Sequence, residues 1–158
     1  LCAMAVHELA HIVMMLACGG QVRRLTLRFA DLQIAASGLG YRQELLSALA
    51  GPLVNLICGA AFCMQRPSFA AYSLGIYNLL PVWPLDGGRM IRCVLLARLP
   101  ITQAEHISEI VSFAACAVLL LIGVFLTFFR KSGLWPLGTA AYLTVRLLML
   151  ARRTDAVQ

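Results

Sequence analysis

The chain has 158 residues and a formal net charge of +6; 61% of its residues are hydrophobic and 13% are charged. A soluble domain is roughly 45–50% apolar and about 25% charged, so this composition disfavours a water-soluble enzyme, a disordered tail and a nucleic-acid binder. A mean hydropathy of +0.83 indicates a membrane protein, with the scarce positive charges marking its topology rather than a nucleic-acid partner.

Five apolar segments approach the length of about 20 residues that a membrane-spanning helix needs. The first, residues 1–18, is expected to be truncated, because Leu1 already lies within an apolar pattern. The sequence therefore predicts an all-α polytopic membrane protein with a single membrane-embedded domain over residues 1–158 and two of its helices within 106–151. The other four predicted spans are residues 45–64, 67–85, 110–129 and 134–151.

The segment after the first helix has a different pattern. Leu25 and Leu27 alternate with polar neighbours, and an apolar alternation resumes at Leu32 and Ile34. A period of two is typical of a strand. We therefore expect a short β-hairpin that lies at the cytoplasmic interface.

The basic residues divide unevenly between the two sides of the predicted bundle. Nine lie on the side where the first helix ends, whereas three lie on the opposite side. The positive-inside rule assigns the richer side to the cytoplasm, which predicts a multi-pass protein of the cell membrane, the bacterial inner membrane in particular. The nine residues are Arg23, Arg24, Arg28, Arg42, Arg89, Arg92, Arg98, Arg152 and Arg153.

The pattern H-E-x-x-H occupies residues 7–11 of the first helix. Positions i and i+4 share a helix face, so His7 and His11 can bind one metal ion together. Glu8 is adjacent to the first of them and can act as a general base on water, whose pKa the metal lowers towards about 7. Such a cluster is costly inside a membrane span, so the pattern predicts a catalytic metal site there.

A catalytic zinc ion usually has three protein ligands, so one more is expected from elsewhere in the chain. Asp86 is the favoured candidate, since it is the only carboxylate within residues 45–104 and the third predicted span returns to the membrane face of His11. Prolines and glycines around it indicate irregular backbone, which at membrane depth is tolerated only where it is buried or lines a cavity. The alternatives are Glu105, His106 and Glu109.

Three motifs together resemble one known family. H-E-x-x-H at residues 7–11 is followed by A-G-P-L-V-N at 50–55 and by N-L-L-P-V-W-P-L-D-G at 78–87. This order resembles the site-2 protease family of intramembrane zinc metalloproteases, over roughly the first 90 residues. The apolar pair of C-terminal helices, without an inserted PDZ domain, resembles its sporulation branch, the stage IV sporulation protein FB-like proteins.

The resemblance implies one Zn²⁺ ion and a role for Glu8 as the catalytic acid–base. It also implies that Asn55 and Asn78 bind substrate, because a buried amide can hold a substrate backbone group or stabilise an oxyanion. Contact between helices is the alternative role for both amides. The implied metal ligands are His7, His11 and Asp86.

The predicted function is hydrolysis of a peptide bond in or near a substrate's transmembrane segment, close to the cytoplasmic face. The expected partners are the lipid bilayer, a membrane-associated or transmembrane protein substrate (a pro-sigma factor in the sporulation branch) and membrane proteins that regulate the reaction. A metal transporter or a catalytically inactive membrane scaffold is the alternative. A transporter would place ionisable residues along both halves of the bundle, whereas here they gather near one face.

Overall fold

The computed structural model describes residues 2–28, 31–61, 66–130 and 133–155. Leu1, on which the predicted truncation rests, lies outside these residues. The described part of the chain forms six helices and two strands. In chain order they are α1 (Cys2–Ala17), β1 (Gln21–Arg28), β2 (Asp31–Ser37), α2 (Tyr41–Ala61), α3 (Arg66–Asn78), α4 (Asp86–Leu96), α5 (Ile101–Phe128) and α6 (Trp135–Asp155).

The two strands connect α1 to α2 and pair antiparallel. Gln21 lies opposite Ser37 and Arg28 lies opposite Asp31, with an irregularity in the register between Val22 and Arg24. Both strands contact α1, so this small sheet lies beside the helix that carries the H-E-x-x-H motif.

Two of the described helices, α2 and α5, are long and apolar enough to cross a membrane by length and composition. The apolar helix α1 has 16 residues, and α3 has only 13. The predicted fourth span overlaps α5, which begins nine residues earlier, at Ile101, and ends at Phe128. Helix length and composition therefore support two of the five predicted spans.

The predicted span over residues 67–85 is helical only in its first part, and irregular backbone follows, as expected from its prolines. Helix α3 ends at Asn78, and Pro81 and Pro84 then interrupt the chain because they lack the N–H donor that a helix needs. Turns replace the helix: the Val82 N–H donates to the Leu80 carbonyl at 2.7 Å, and residues 86–96 form a separate helix, α4, that the sequence did not predict.

Two glycines let the start of α4 fold back against this turn segment. A Cβ atom at Gly88 would lie 2.6 Å from the Trp83 nitrogen, and one at Gly87 would overlap the carbonyl oxygens of Leu79 and Leu80. Since real Cβ atoms do not come so close to backbone atoms, a larger residue at either position would push α4 away. The glycines thereby fix where the first residue of α4, Asp86, stands.

The main apolar core lies between the turn segment and the last two helices. Val82 and Leu85 pack there with side chains from α5 and α6, and Leu85 directly precedes Asp86. Apolar packing therefore holds the segment that carries the carboxylate. The α5 and α6 members of this cluster are Cys116, Leu143 and Leu147.

Candidate metal centre

Helix α1 buries one narrow face. His7 and His11 are each 4% exposed and Met15 is 2% exposed, at the spacing of four residues that places side chains on one face. The imidazole rings lie edge to face, and their Nε2 atoms are 3.1 Å apart. The side chains of Leu9 and Val13 are exposed on the other side of the helix, so the polar pair faces the protein interior.

Asp86, which is 7% exposed, completes the group from the start of α4. Its Oδ2 lies 3.1 Å from His7 Nε2 and 3.1 Å from His11 Nε2. The three atoms thus form a nearly equilateral triangle, the one cluster of three metal-ligating side chains among the described residues.

The triangle fits a single cation. Zinc bonds of about 2.0–2.1 Å in tetrahedral geometry place the ligand atoms about 3.3 Å from each other, close to the observed spacing. Two imidazole nitrogens and a carboxylate oxygen that face one another in a buried site also repel unless a proton or a cation lies between them. The donor set is therefore suited to a divalent metal.

Helix α2 contacts the Nδ1 atoms of both imidazoles. The Nδ1–H of His11 donates to the Ser47 carbonyl oxygen at 2.6 Å, and the Asn55 amide lies 3.1 Å from Nδ1 of His7. Between them Gly51 gives the rings room, since a Cβ atom there would lie 2.6 Å from His11 Cε1 and 2.8 Å from His7 Cε1. Residues 47, 51 and 55 therefore form one ridge that packs against the histidine face of α1.

The second carboxylate oxygen of Asp86 is held separately, because Arg89 Nη1 lies 3.5 Å from Oδ1. The arginine stabilises the ionised carboxylate, which is the form that binds a metal.

A cavity of about 280 Å³ opens beside the three side chains. Glu8 and Asn78 line it together with His7, His11 and Asp86. Glu8 is thus placed at the same opening as the three candidate ligands, where water and a substrate segment can reach it. The Asn78 amide donates to the Leu74 carbonyl at 3.2 Å, so its oxygen is not committed by that bond.

The remaining predicted residues do not line this cavity. Asn55 is 1% exposed and does not line the cavity. Glu105 pairs with Arg92 at 3.0 Å and is exposed. Glu109 lines a second cavity with Trp83, and His106 is exposed. The structure therefore brings Asp86, and none of its three alternatives, to the two histidines.

Four polar side chains in the cavity wall were not predicted from the sequence to belong to the site. Arg146 stands within an otherwise apolar stretch of α6, where a lone ionisable residue is a signal of function, so that signal was available. Tyr77, Tyr142 and Arg89 gave no comparable signal in the sequence, because only the folded chain brings them close to residues 7–11. The four residues are Tyr77, Arg89, Tyr142 and Arg146.

Comparison with known proteins gives consistent similarities. The family model of peptidase family M50 matches residues 64–122, a range that contains Asp86 but not the H-E-x-x-H motif. Stage IV sporulation protein FB of Bacillus subtilis is 28% identical over 138 residues, and a zinc metalloprotease of Methanocaldococcus jannaschii is 23% identical over 137 residues.

The matches differ in how much of each chain they cover. They include 78% and 77% of this chain but 47% and 40% of the two relatives, so the chain spans less than half the length of either. The solved structure of the site-2 protease from Methanocaldococcus jannaschii, at 20% identity, shares the fold with a TM-score of 0.66, over 93% of this chain and 73% of that one. Together these similarities show that residues 64–122 match the peptidase family M50 model and that the chain has the fold of the solved site-2 protease.

Proposed function

We propose that this chain is the protease domain of an intramembrane zinc metalloprotease. The observation that carries the proposal is the buried triangle of His7, His11 and Asp86 at a cavity that Glu8 also lines. Zinc is proposed as the metal because the Methanocaldococcus jannaschii relative is named a zinc metalloprotease and because the donor set fits zinc. The reaction is hydrolysis of a peptide bond in or near a substrate's transmembrane segment.

A zinc ion bound by these three side chains would supply Lewis acidity, which polarises a carbonyl group and lowers the pKa of water towards about 7. Glu8 takes the proton from the attacking water and returns it to the leaving amine. The Asn78 amide, on the cavity wall, holds a substrate backbone group or the developing oxyanion.

The location within the bilayer is supported by helix length. Helix α3 has 13 residues and is therefore about 20 Å long, shorter than the hydrocarbon core of about 30 Å. A chain that crosses from the outer face by α3 reaches the turn segment before it leaves the membrane. Irregular backbone at that depth must line a cavity, as residues 84–86 do.

The cytoplasmic orientation is proposed from the charge distribution. Nine basic residues lie between α1 and the first turn of α2, between α3 and α5, or at the end of α6, against three that lie at the start of α3 or after α5. Arg98 and Arg130, both exposed, test it as single cysteines in a background without the native cysteines. A membrane-impermeant maleimide should label Arg98→Cys only from the cytoplasmic side and Arg130→Cys only from the opposite side. The reverse pattern would overturn the orientation.

A sporulation role, with a membrane-associated pro-sigma factor as the substrate, is the finer part of the proposal. It is supported by the similarity to stage IV sporulation protein FB of Bacillus subtilis. Co-expression with a pro-sigma factor and with an unrelated single-span protein separates substrate class from general activity. Cleavage of only the unrelated protein would contradict the sporulation role and leave the protease assignment intact.

The protease assignment itself is tested with Glu8→Gln in proteoliposomes. General acid–base catalysis contributes about 10²–10⁴-fold, so cleavage of a transmembrane substrate should fall by that factor while the zinc content is unchanged. Normal cleavage by the variant would overturn the role of Glu8. Metal flux through the wild-type chain without any proteolysis would establish the transporter alternative instead.

A further inference from the structure

Asn55 occupies an unusual position for a residue expected to bind substrate. Its side chain is 1% exposed on the face of α2 that packs against the histidines. The amide nitrogen Nδ2 lies 3.1 Å from His7 Nδ1, and the amide oxygen Oδ1 is buried without a hydrogen-bond partner among the described residues. A buried amide oxygen without a donor is costly, so this arrangement requires an explanation.

The chemistry of His7 supplies one. Its Nε2 faces Asp86 and His11, and a neutral imidazole that binds a metal through Nε2 carries its proton on Nδ1. That N–H needs an acceptor, whereas an amide nitrogen only donates. A half-turn of the Asn55 amide exchanges the two ends of the group and places Oδ1, now without a donor, opposite the Nδ1–H.

The other histidine shows the same requirement already met. His11 donates its Nδ1–H to the Ser47 carbonyl oxygen, an acceptor that cannot rotate away. Ser47 and Asn55 are eight residues apart, two turns of α2, and His7 and His11 are one turn apart on α1. The ridge of α2 therefore places one acceptor opposite each imidazole of α1.

We propose that Asn55 is a positioning residue for the metal ligand His7, with Oδ1 accepting the Nδ1–H and fixing the ring so that Nε2 points to the metal. The inference rests on the proposed function, and it replaces the substrate-binding role expected from the sequence. Partners of this kind set the tautomer and the orientation of metal-bound histidines, and their loss typically weakens metal binding about 10–100-fold. Asn78, which lines the cavity, keeps the role of contacting substrate.

The test measures zinc affinity by competition with a chromophoric chelator, using the full chain in detergent and zinc alone as the probe. Asn55→Leu, of similar size but without an acceptor, should bind zinc about 10–100-fold more weakly. Asn55→Asp retains an acceptor and should stay within about tenfold of the wild type. Asn78→Leu removes an amide of the cavity wall and should leave zinc affinity unchanged.

Cobalt(II) substitution adds a readout that loss of helix packing alone does not produce. In Asn55→Leu the visible ligand-field bands should change in position or intensity, whereas Asn55→Asp and Asn78→Leu should keep the wild-type spectrum. Equal affinity for Asn55→Leu and the wild type would overturn the inference, as would equal losses in the Leu and Asp variants of folded protein. A wild-type chain that binds no zinc would instead overturn the proposed function.

Discussion

Two parts of the protein are held together by different interactions. One is the metal corner (His7, His11, Gly51, Asn55 and Asp86), and the other is the α5–α6 contact. In the corner, polar atoms meet at 3.1 Å and a glycine stands where a Cβ would strike both rings. In the contact, the buried side chains are mainly apolar, as at Leu143, Cys116 and Leu147. The corner therefore depends on the direction of single atoms, whereas the contact depends on filled volume.

Val82 and Leu85 join the two regions. They belong to the apolar cluster with α5 and α6, and Asp86 follows directly. The position of the carboxylate is also fixed from the other side, by the close approach of Gly87 and Gly88 to the turn segment and by Arg89. We expect loss of volume in the contact to reduce stability without disturbing the ligand geometry.

The largest effect is expected from Asp86→Asn. Replacing the carboxylate by a neutral amide removes the charge that attracts a cation, so zinc affinity should fall by more than the roughly 100-fold upper end for a supporting residue, and cleavage should cease. Glu109→Gln is the matched neutralisation of an acid away from the histidines and should bind zinc normally. Zinc content after dialysis measures both variants; loss in Glu109→Gln alone would move the third ligand there.

Leu143→Ala tests whether the α5–α6 contact depends on filled volume. Leu143 is 2% exposed, and removing a buried leucine typically costs about 2–5 kcal/mol of stability, while zinc affinity should remain that of the wild type. Leu148→Ala makes the same change at an exposed position of α6 and should change stability by no more than about 0.5 kcal/mol. The free energy of unfolding in detergent is measured for both variants. Zinc loss in Leu143→Ala would mean that the contact also sets the ligand geometry.

Gly51→Ala tests whether the metal corner needs the space that a glycine leaves for the two imidazole rings. The added Cβ would lie 2.6 Å from His11 Cε1 and 2.8 Å from His7 Cε1, so the rings must move, at a cost of about 1–3 kcal/mol and with weaker zinc binding. Gly138→Ala on α6 meets nothing within 4 Å and should be neutral or stabilising by about 0.5–1 kcal/mol. If both variants bound zinc equally well, close packing around the rings would not be needed.

The two regions also differ in how far the sequence predicts them. The spacing of His7 and His11, together with the scarcity of acids, indicated the residues that the fold brings together. The prolines indicated irregular backbone before Asp86, but the helix end at Asn78 was not located, because the run through Leu85 stays apolar. The role of Asn55 could not be predicted either, since which atom an amide meets depends on how α2 packs against α1.

The smallest effect is expected from Glu105→Gln, at the exposed start of α5, where its partner belongs to α4. Glu105 is 48% exposed in its side chain and pairs with Arg92 at 3.0 Å, and exposed ion pairs contribute about 0–1 kcal/mol because water and salt screen them. The free energy of unfolding should change by less than that, and any change should shrink when the salt concentration rises. Zinc affinity should not change, because the carboxylate bonds to Arg92 and not to the histidines. A salt-independent loss above about 1 kcal/mol would mean that this pair between α4 and α5, like the metal corner, depends on the direction of a single polar bond.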